Sequence, residues 1–388
     1  MAGIDRVDVY LCMADVEPRG PSSGWYHTRE SVLVRLGDAD GRTGWGEAGL
    51  RPGVVEAARE LGATLLGGDP RRAGTLNDQL TRTTADQWAV SALSVALDDL
   101  RARQLGIAVA DLYGGRRRDT VRAYASTAGY HATREPEELW PAEAEAALRE
   151  GFRAVKFRIG GHPADRELPI LAAIKAAHGA GLEMMADGNG AYSVPQSVRV
   201  ARALGDLGFT WLEEPVNRFR GNQRYPGYRG LDASLGVAIA GGEGLERRSD
   251  FDRLLGDGID IVQPDVGICG GIGEGAFVAE LAALRGRACV PHAWGGAVLI
   301  AATLQLLAVT PEPTEVEGSY GGLLEWDVFE NPMRTDLLAE PLEVRDGLVA
   351  IPSGPGLGIE VDESAVRALD RLAAGGQPPG RAERTAVR

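Results

Sequence analysis

The sequence predicts an α/β fold in which a parallel strand–helix barrel follows a small α+β domain. Three observations carry this expectation. From about residue 120, short apolar runs alternate with amphipathic Ala/Leu/Arg-rich stretches, at about thirty residues per unit. Before that point, strand-like text comes first and helical text second. The turn after the first barrel strand reads Ala125, Ser126, Thr127. An open dinucleotide-binding sheet would carry G-x-G-x-x-G there, so closure into a barrel is the better reading.

The elements follow in order. Val7–Cys12 and Ser31–Leu36 read as strands, with turns around Gly41 and Gly44; Val54–Leu66 and Asp86–Gln104 carry apolar residues at helical spacing. Gly114, Gly115 and Arg116–Arg118 read as the way out of this first domain, which spans residues 1–118. Barrel strands are expected at Val121–Ser126, Ala154–Ile159, Leu182–Asp187, Thr210–Glu214, Val237–Gly241, Ile259–Pro264 and Ala288–His292, with an eighth near Leu323–Asp327. The barrel domain is set at 119–340 and a C-terminal segment at 341–374. Residues 375–388, rich in Pro, Gly and Arg, are expected to be a disordered tail.

Composition narrows the partners. A net charge of −14 argues against nucleic acid and anionic membranes. No apolar run reaches membrane-spanning length, and charges inside the first apolar stretch argue against a signal peptide. Cys12, Cys269 and Cys289 lack C-x-x-C spacing and read as reduced thiols of a cytoplasmic protein.

The tips of the barrel strands carry the chemistry, because such tips converge on one site. Strand two ends in Lys156 and Arg158, two residues apart and so on one face. Of 41 basic residues only Lys156 and Lys175 are lysines, so the lysine here stands out. Strand three ends in Asp187 and Asn189, four in Glu213 and Glu214, five in Glu243, six in Asp265, seven in His292, and the eighth offers Glu325. Asp187, Glu213 and Glu243 at three successive tips would repel one another without a cation. Hard oxygen donors without cysteine or histidine suit Mg²⁺. Asp265 and His292, on adjacent strands, form a candidate base, the carboxylate fixing the imidazole tautomer. A metal that binds a substrate carboxylate acidifies its α-proton by stabilising an enediolate, and a nearby base removes that proton. Elimination or epimerisation then follows.

Together, Lys-x-Arg, D-x-N, E-E-P, G-G-E, Q-P-D, P-H-x-W-G and L-E-x-D resemble the mandelate racemase group of the enolase superfamily, over nearly the whole chain. G-W-G-E-A at 44–48 is similar to the group's capping-domain loop. The resemblance implies a modified TIM barrel, (β/α)7β, with an α+β capping domain built from the N-terminal part and the C-terminal segment. It implies Asp187, Glu213 and Glu243 as Mg²⁺ ligands, Asp265–His292 as the dyad, and Glu325 as hydrogen-bonding the substrate carboxylate. It also implies a homo-oligomer. Asn189, Trp294, Trp25 and His27 are candidate substrate contacts, the last two from the loop where the capping domain meets the mouth. The arginines of the 217–230 loop are candidates for a second substrate carboxylate. The stretches P-H-A-W-G-G-A-V-L-I and L-L-E-W-D-V-F-E-N-P look closest to acid-sugar dehydratases and galactarolactone cycloisomerases.

One position departs from the group. The racemase pattern is Lys-x-Lys, with the second lysine a base; here it is Arg158, which stays protonated and serves poorly as a base. The expected reaction is therefore one-base, with His292 as base and Arg158 as an electrostatic clamp. This favours an acid-sugar dehydratase acting on a small carboxylate. The alternatives are a lactone cycloisomerase, a racemase or epimerase, and a catalytically silent sugar-acid-binding relative.

Overall fold

The computed structural model describes residues 2–82, 86–216, 219–220, 223–225, 227–231, 233–312 and 322–373. Two main sheets organise them. The first is antiparallel and places β3 (Thr43–Ala48), β2 (Tyr26–Asp38) and β1 (Ile4–Gly20) side by side. A two-residue strand, Tyr130–His131, pairs with the end of β1 and so ties this sheet to the barrel. Helices α1 (Val54–Ala63), α2 (Ala73–Arg82) and α3 (Gln87–Leu105) follow. Asp86 caps α3 by accepting from the Trp88 and Ala89 amides, and Gly106 ends it in the left-handed region at φ 70°. The glycines of G-W-G-E-A have a packing reason. A Cβ at Gly44 would lie 2.3 Å from the Ala96 carbonyl, and one at Gly46 1.9 Å from that of Ala92. Only glycine lets α3 lie directly on β3.

The second sheet is the barrel. Parallel pairing runs β4 (Thr120–Thr127), β5 (Ala154–Arg158), β6 (Glu183–Asp187), β7 (Trp211–Glu213), β8 (Ala238–Gly241), β9 (Ile261–Val262), β10 (Ala288–Cys289). The last strand, β11 (Leu323–Asp327), returns to pair in parallel with β4. Outer helices are α4 (Pro136–Arg149), α5 (Ala164–His178), α6 (Val194–Asp206), α7 (Arg248–Gly256), α8 (Ile272–Leu284) and α9 (Ala297–Val309). Among the described residues the link from β7 to β8 holds no α-helix. It carries a short hairpin, Phe219–Arg220 with Gln223–Arg224, and a 3₁₀ turn.

Inward-facing residues fill the barrel: Tyr124, Ala154, Met185, Trp211, Ala240, Ile261, Ala288 and Leu323. Tyr124 meets Trp211 edge-on, with centroids 5.4 Å apart. This apolar layer matters for the site. The two-residue period of a strand turns Lys156 and Arg158 to the face of Ala154, Asp187 to that of Met185, Glu213 to that of Trp211 and Glu325 to that of Leu323. Helix α9 is apolar on every side, and all thirteen of its residues are buried.

The fold is the expected modified TIM barrel with an α+β capping domain. One boundary needs correction. Residues 341–374 do not all join the capping domain: Leu348–Ala350 pairs antiparallel with β4 at the barrel, and Val344–Arg345 pairs with Leu348–Val349. Only the later helix, Glu363–Leu369, reaches the capping sheet, where the Asp370 carboxylate accepts from the Leu11 amide. The expected tail, 375–388, lies outside the described residues, as do Arg218 and the side chains of Arg220 and Arg224 in the 217–230 loop. Arg229 of that loop is exposed and pairs with Asp257 at 3.0 Å. No helix among the described residues is long and apolar enough to cross a membrane.

Candidate active site

A cavity of about 610 Å³ opens over the C-terminal tips of the barrel. Its barrel side includes Arg158, Asn189, Glu243, Asp265, His292 and Trp294. Its capping side includes Tyr26, Thr28, Arg29, Glu30 and Arg51. Beneath this floor lie Lys156, Asp187, Glu213 and Glu325, each at most 1 % exposed.

The buried layer is a charge network. Lys156 Nζ lies 2.8 Å from Glu213 Oε1, 2.8 Å from Glu325 Oε1 and 3.9 Å from Asp187 Oδ2. Burial alone would lower the lysine's pKa, but Glu213 and Glu325 outweigh it and hold it well above the usual value. Glu213 also accepts from Gln263 Nε2 at 2.8 Å and Trp211 Nε1 at 3.2 Å. Burial pushes the Glu213 carboxyl up to about 7; Lys156 opposes this, while Asp187, Glu325 and Glu243 add to it. Burial also raises Asp187, against the pull of Lys156 and Arg158. Glu325 goes the other way: Lys156, His292 and Arg158 overcome its burial and hold it well below the usual carboxylate range.

Arg158 is fixed from three sides. Nη1 is 3.5 Å from Asp187 Oδ2, Nη2 is 3.2 Å from Ser126 Oγ, and the guanidinium lies 4.3 Å from the centroid of Trp294. Arg29 lies over the same ring at 4.4 Å and pairs with the buried Asp327 at 2.6 Å. On the other flank His292 Nδ1 is 2.6 Å from Asp265 Oδ2, which leaves Nε2 3.4 Å from Glu243 Oε2 and 3.9 Å from Glu325 Oε2. The two residues are brought together by the backbone itself, since Asp265 and His292 form a parallel bridge that extends β9 and β10. Burial disfavours the imidazolium, but Glu243, Glu325 and Asp265 prevail and lift its pKa to about 10; a divalent cation on Glu243 would offset that pull and favour the neutral imidazole a base requires.

The three carboxylates expected to hold a metal therefore converge, though among the described residues no trio of His, Cys, Asp or Glu is already drawn into a coordination cage. Chemistry favours a hard divalent cation all the same. Among the described residues, five carboxylates, Asp187, Glu213, Glu243, Asp265 and Glu325, gather around Lys156, Arg158 and His292. Acids so close together suit a cation between them, and every candidate ligand is a carboxylate oxygen.

Asn189 adopts φ 44° and donates to both oxygens of Asp187, from its amide at 2.8 Å and from Nδ2 at 3.0 Å. Its Oδ1 is buried without a hydrogen bond. Glu214, also at positive φ, turns its carboxylate away from the network to accept from the Tyr225 hydroxyl at 2.5 Å. Trp294 lines the cavity. Trp25 and His27 do not: Trp25 packs partly buried against the core and His27 is exposed, whereas their neighbours Tyr26, Thr28 and Arg29 line the cavity. Three site residues escaped the sequence reading. Ser126 ends the expected first barrel strand and Gln263 opens Q-P-D two residues before Asp265; strand alternation from Asp265 points to Gln263. Arg29 carries no local signal, because only the docking of the capping sheet brings it to Trp294.

Comparison with known proteins agrees with this geometry. Residues 6–114 match the family described as mandelate racemase / muconate lactonizing enzyme, N-terminal domain, and residues 140–365 match the family described as enolase C-terminal domain-like. The chain belongs to the mandelate racemase / muconate lactonizing enzyme family of the enolase superfamily. It is 36 % identical over 354 residues to D-galactarolactone cycloisomerase of Agrobacterium fabrum, covering 88 % of this chain and 91 % of that one. The 3,6-anhydro-D-galactonate cycloisomerase of Zobellia galactanivorans superposes with a TM-score of 0.83 at 28 % identity, over 95 % of this chain and 99 % of that one. An L-talarate/galactarate dehydratase variant, liganded with Mg and L-glucarate, superposes with a TM-score of 0.82 at 25 % identity, over 95 % and 92 %. Like these members of the family, the chain is an enzyme, a lyase or an isomerase.

Proposed function

We propose that this enzyme catalyses a one-base β-elimination on an acid sugar, with the Asp265–His292 dyad removing the proton α to the carboxylate. The observation that carries this reading is the asymmetry of the site. A carboxylate-oriented imidazole stands on one flank, and a guanidinium held by Asp187, Ser126 and Trp294 on the other. An arginine so held is a clamp for negative charge and a poor proton acceptor. Asp187, Glu213 and Glu243 would hold Mg²⁺, which when bound supplies electrophilic stabilisation for a substrate carboxylate losing its α-proton. Lys156, kept charged by Glu213 and Glu325, adds a second fixed positive charge beneath the reacting carboxylate. Once His292 Nε2 carries the α-proton, it can return that proton to a departing hydroxide on the same face, which completes a dehydration.

A second reading differs only in the leaving group. The 36 % identity to a galactarolactone cycloisomerase favours the ring oxygen of a sugar-acid lactone, which leaves as a carboxylate and needs no proton. One experiment tests the common step and separates the two. The protein is incubated with Mg²⁺ in D₂O against a panel of aldonic and aldaric acids and their lactones, and followed by proton NMR. A 2-keto-3-deoxy acid formed from an open acid supports dehydration, and the same product class from a lactone alone supports ring opening. His292→Asn is expected to lower either rate by at least about 10². Deuterium exchange without elimination, persisting in His292→Asn, would sink the one-base reading.

A further inference from the structure

We propose that Glu47 of the capping domain is a positioning residue for the Asp265–His292 dyad, holding the backbone of both dyad loops in register from outside the barrel. The inference rests on the proposed function only in calling the dyad the base.

Glu47 is the penultimate residue of β3 and is 2 % exposed. Its carboxylate leaves its own domain. One oxygen accepts from Ser31 Oγ at 2.6 Å and from the Gly296 amide at 2.5 Å; the other accepts from the Leu299 amide at 2.9 Å. Gly296 is the N-cap of α9, and Leu299 is its third residue. The Leu299 amide is a donor that a Ser, Thr or Asp in place of Gly296 would ordinarily satisfy, and the Gly296 amide one that a Glu or Gln in place of Leu299 would. The sequence there is Gly295–Gly296, which has no side chain to do it. The carboxylate thus caps a barrel helix from another domain.

The same glycines explain the closeness. A Cβ on Gly295 would stand 3.1 Å from Glu47 Oε1, and one on Gly296 2.9 Å from it. His292 lies three residues before Gly295 in this loop, whose Ala293 amide donates to Glu325 Oε2 at 3.2 Å. The Asp265 loop is touched as well. Gly267 donates its amide to Asp265 Oδ1 at 2.7 Å, and a Cβ there would lie 3.2 Å from the Glu47 carbonyl oxygen. One capping-domain residue therefore packs on both chain segments that aim the dyad, one by its side chain and one by its backbone. A dyad works only when its hydrogen bond is aligned, and displacements of about 1 Å can cost about 10²-fold in rate.

The test uses the whole protein, labelled with ¹⁵N-histidine. Among five histidines, the imidazole resonance of His292 is assigned by its loss in His292→Asn. Glu47→Ala is expected to remove or broaden the exchange-protected Nδ1 proton shared with Asp265. It should lower kcat for α-deuterium exchange by about ten- to a hundredfold with KM little changed. Glu47→Gln keeps one acceptor oxygen and should recover most of both. If Glu47→Ala does not fold, Glu47→Asp, one methylene shorter and still charged, carries the same expectation. An unchanged His292 proton and unchanged kcat in either folded variant would overturn the proposal. If the parent enzyme exchanges no α-proton with any acid, the functional reading fails, while the imidazole signal still decides the role of Glu47.

Discussion

Lys156 is the residue on which the buried layer depends. Its ammonium is the nearest positive charge to both Glu213 and Glu325, and it is fully enclosed with them. A buried pair contributes little net stability over an apolar pair of equal volume, but removing one partner strands the other. Lys156→Met is therefore expected to lose about 3–5 kcal/mol of unfolding free energy without added metal, read from urea unfolding. Mg²⁺ should restore part of that loss, since a divalent cation can take over the carboxylates. A Lys156→Met protein as stable as its parent in chelator would show that the carboxylates are not charged there. The same logic explains why a lysine stands here in a chain that otherwise uses arginine. A compact ammonium can touch two carboxylates in a closed space, where a planar guanidinium would need more room. Arg158, two residues further along the strand, has that room and a ring to lie on.

At the scale of elements, α3 shows how local signals and long-range contacts combine. Asp86 caps it and also pairs with Arg51 at 2.7 Å, and Arg51 in turn reaches Glu246 of the barrel at 3.1 Å. Asp86→Ala should cost about 1 kcal/mol from the lost cap. It should also free Arg51, on the wall of the cavity, to change its partner. Urea unfolding together with the KM for the acid measures both effects; unchanged stability would mean that another group caps α3. The strand tips were legible in the sequence because each ends an apolar run in an ionisable residue, as in Leu182–Asp187 and Ile259–Asp265. What was not legible at this scale was where the C-terminal hairpin docks. Leu348–Ala350 alternates like any edge strand, and nothing local says that it pairs with β4. The capping loop was hard to read for a related reason: Trp25 and His27 look functional by residue type, but packing against the barrel places Tyr26, Thr28 and Arg29 on the cavity wall instead.

For the whole molecule, the union of two domains has consequences that neither domain shows alone. Arg29, Arg51 and Glu47 are ordinary strand and loop residues until the capping sheet meets the barrel, so sequence spacing could not pair them with Trp294, Glu246 or Gly296. The same burial that joins the domains leaves acids in places water does not reach, and this predicts a pH dependence of stability far from the active site. Asp98, on α3, is 1 % exposed and accepts from the Tyr113 hydroxyl at 2.5 Å. Burial pushes its carboxyl up to about 6, the Tyr113 hydrogen bond and Arg101 only partly opposing it. In the unfolded chain it titrates near 3.9. The folded state thus holds the proton to higher pH than the unfolded state does. The stabilisation that this proton confers is fully present below about pH 4 and is lost as pH rises through about 6. Across that window Asp98 alone should lower the unfolding free energy by up to about 3 kcal/mol, opposite in sign to a salt-bridged carboxylate. Asp98→Asn carries a permanent hydrogen in the same place, so the difference between variant and parent should grow from pH 4 to pH 6 and then stay constant. Parallel urea titrations at pH 4, 5, 6 and 7 measure it, and a difference independent of pH would mean that Asp98 is charged in the folded protein throughout.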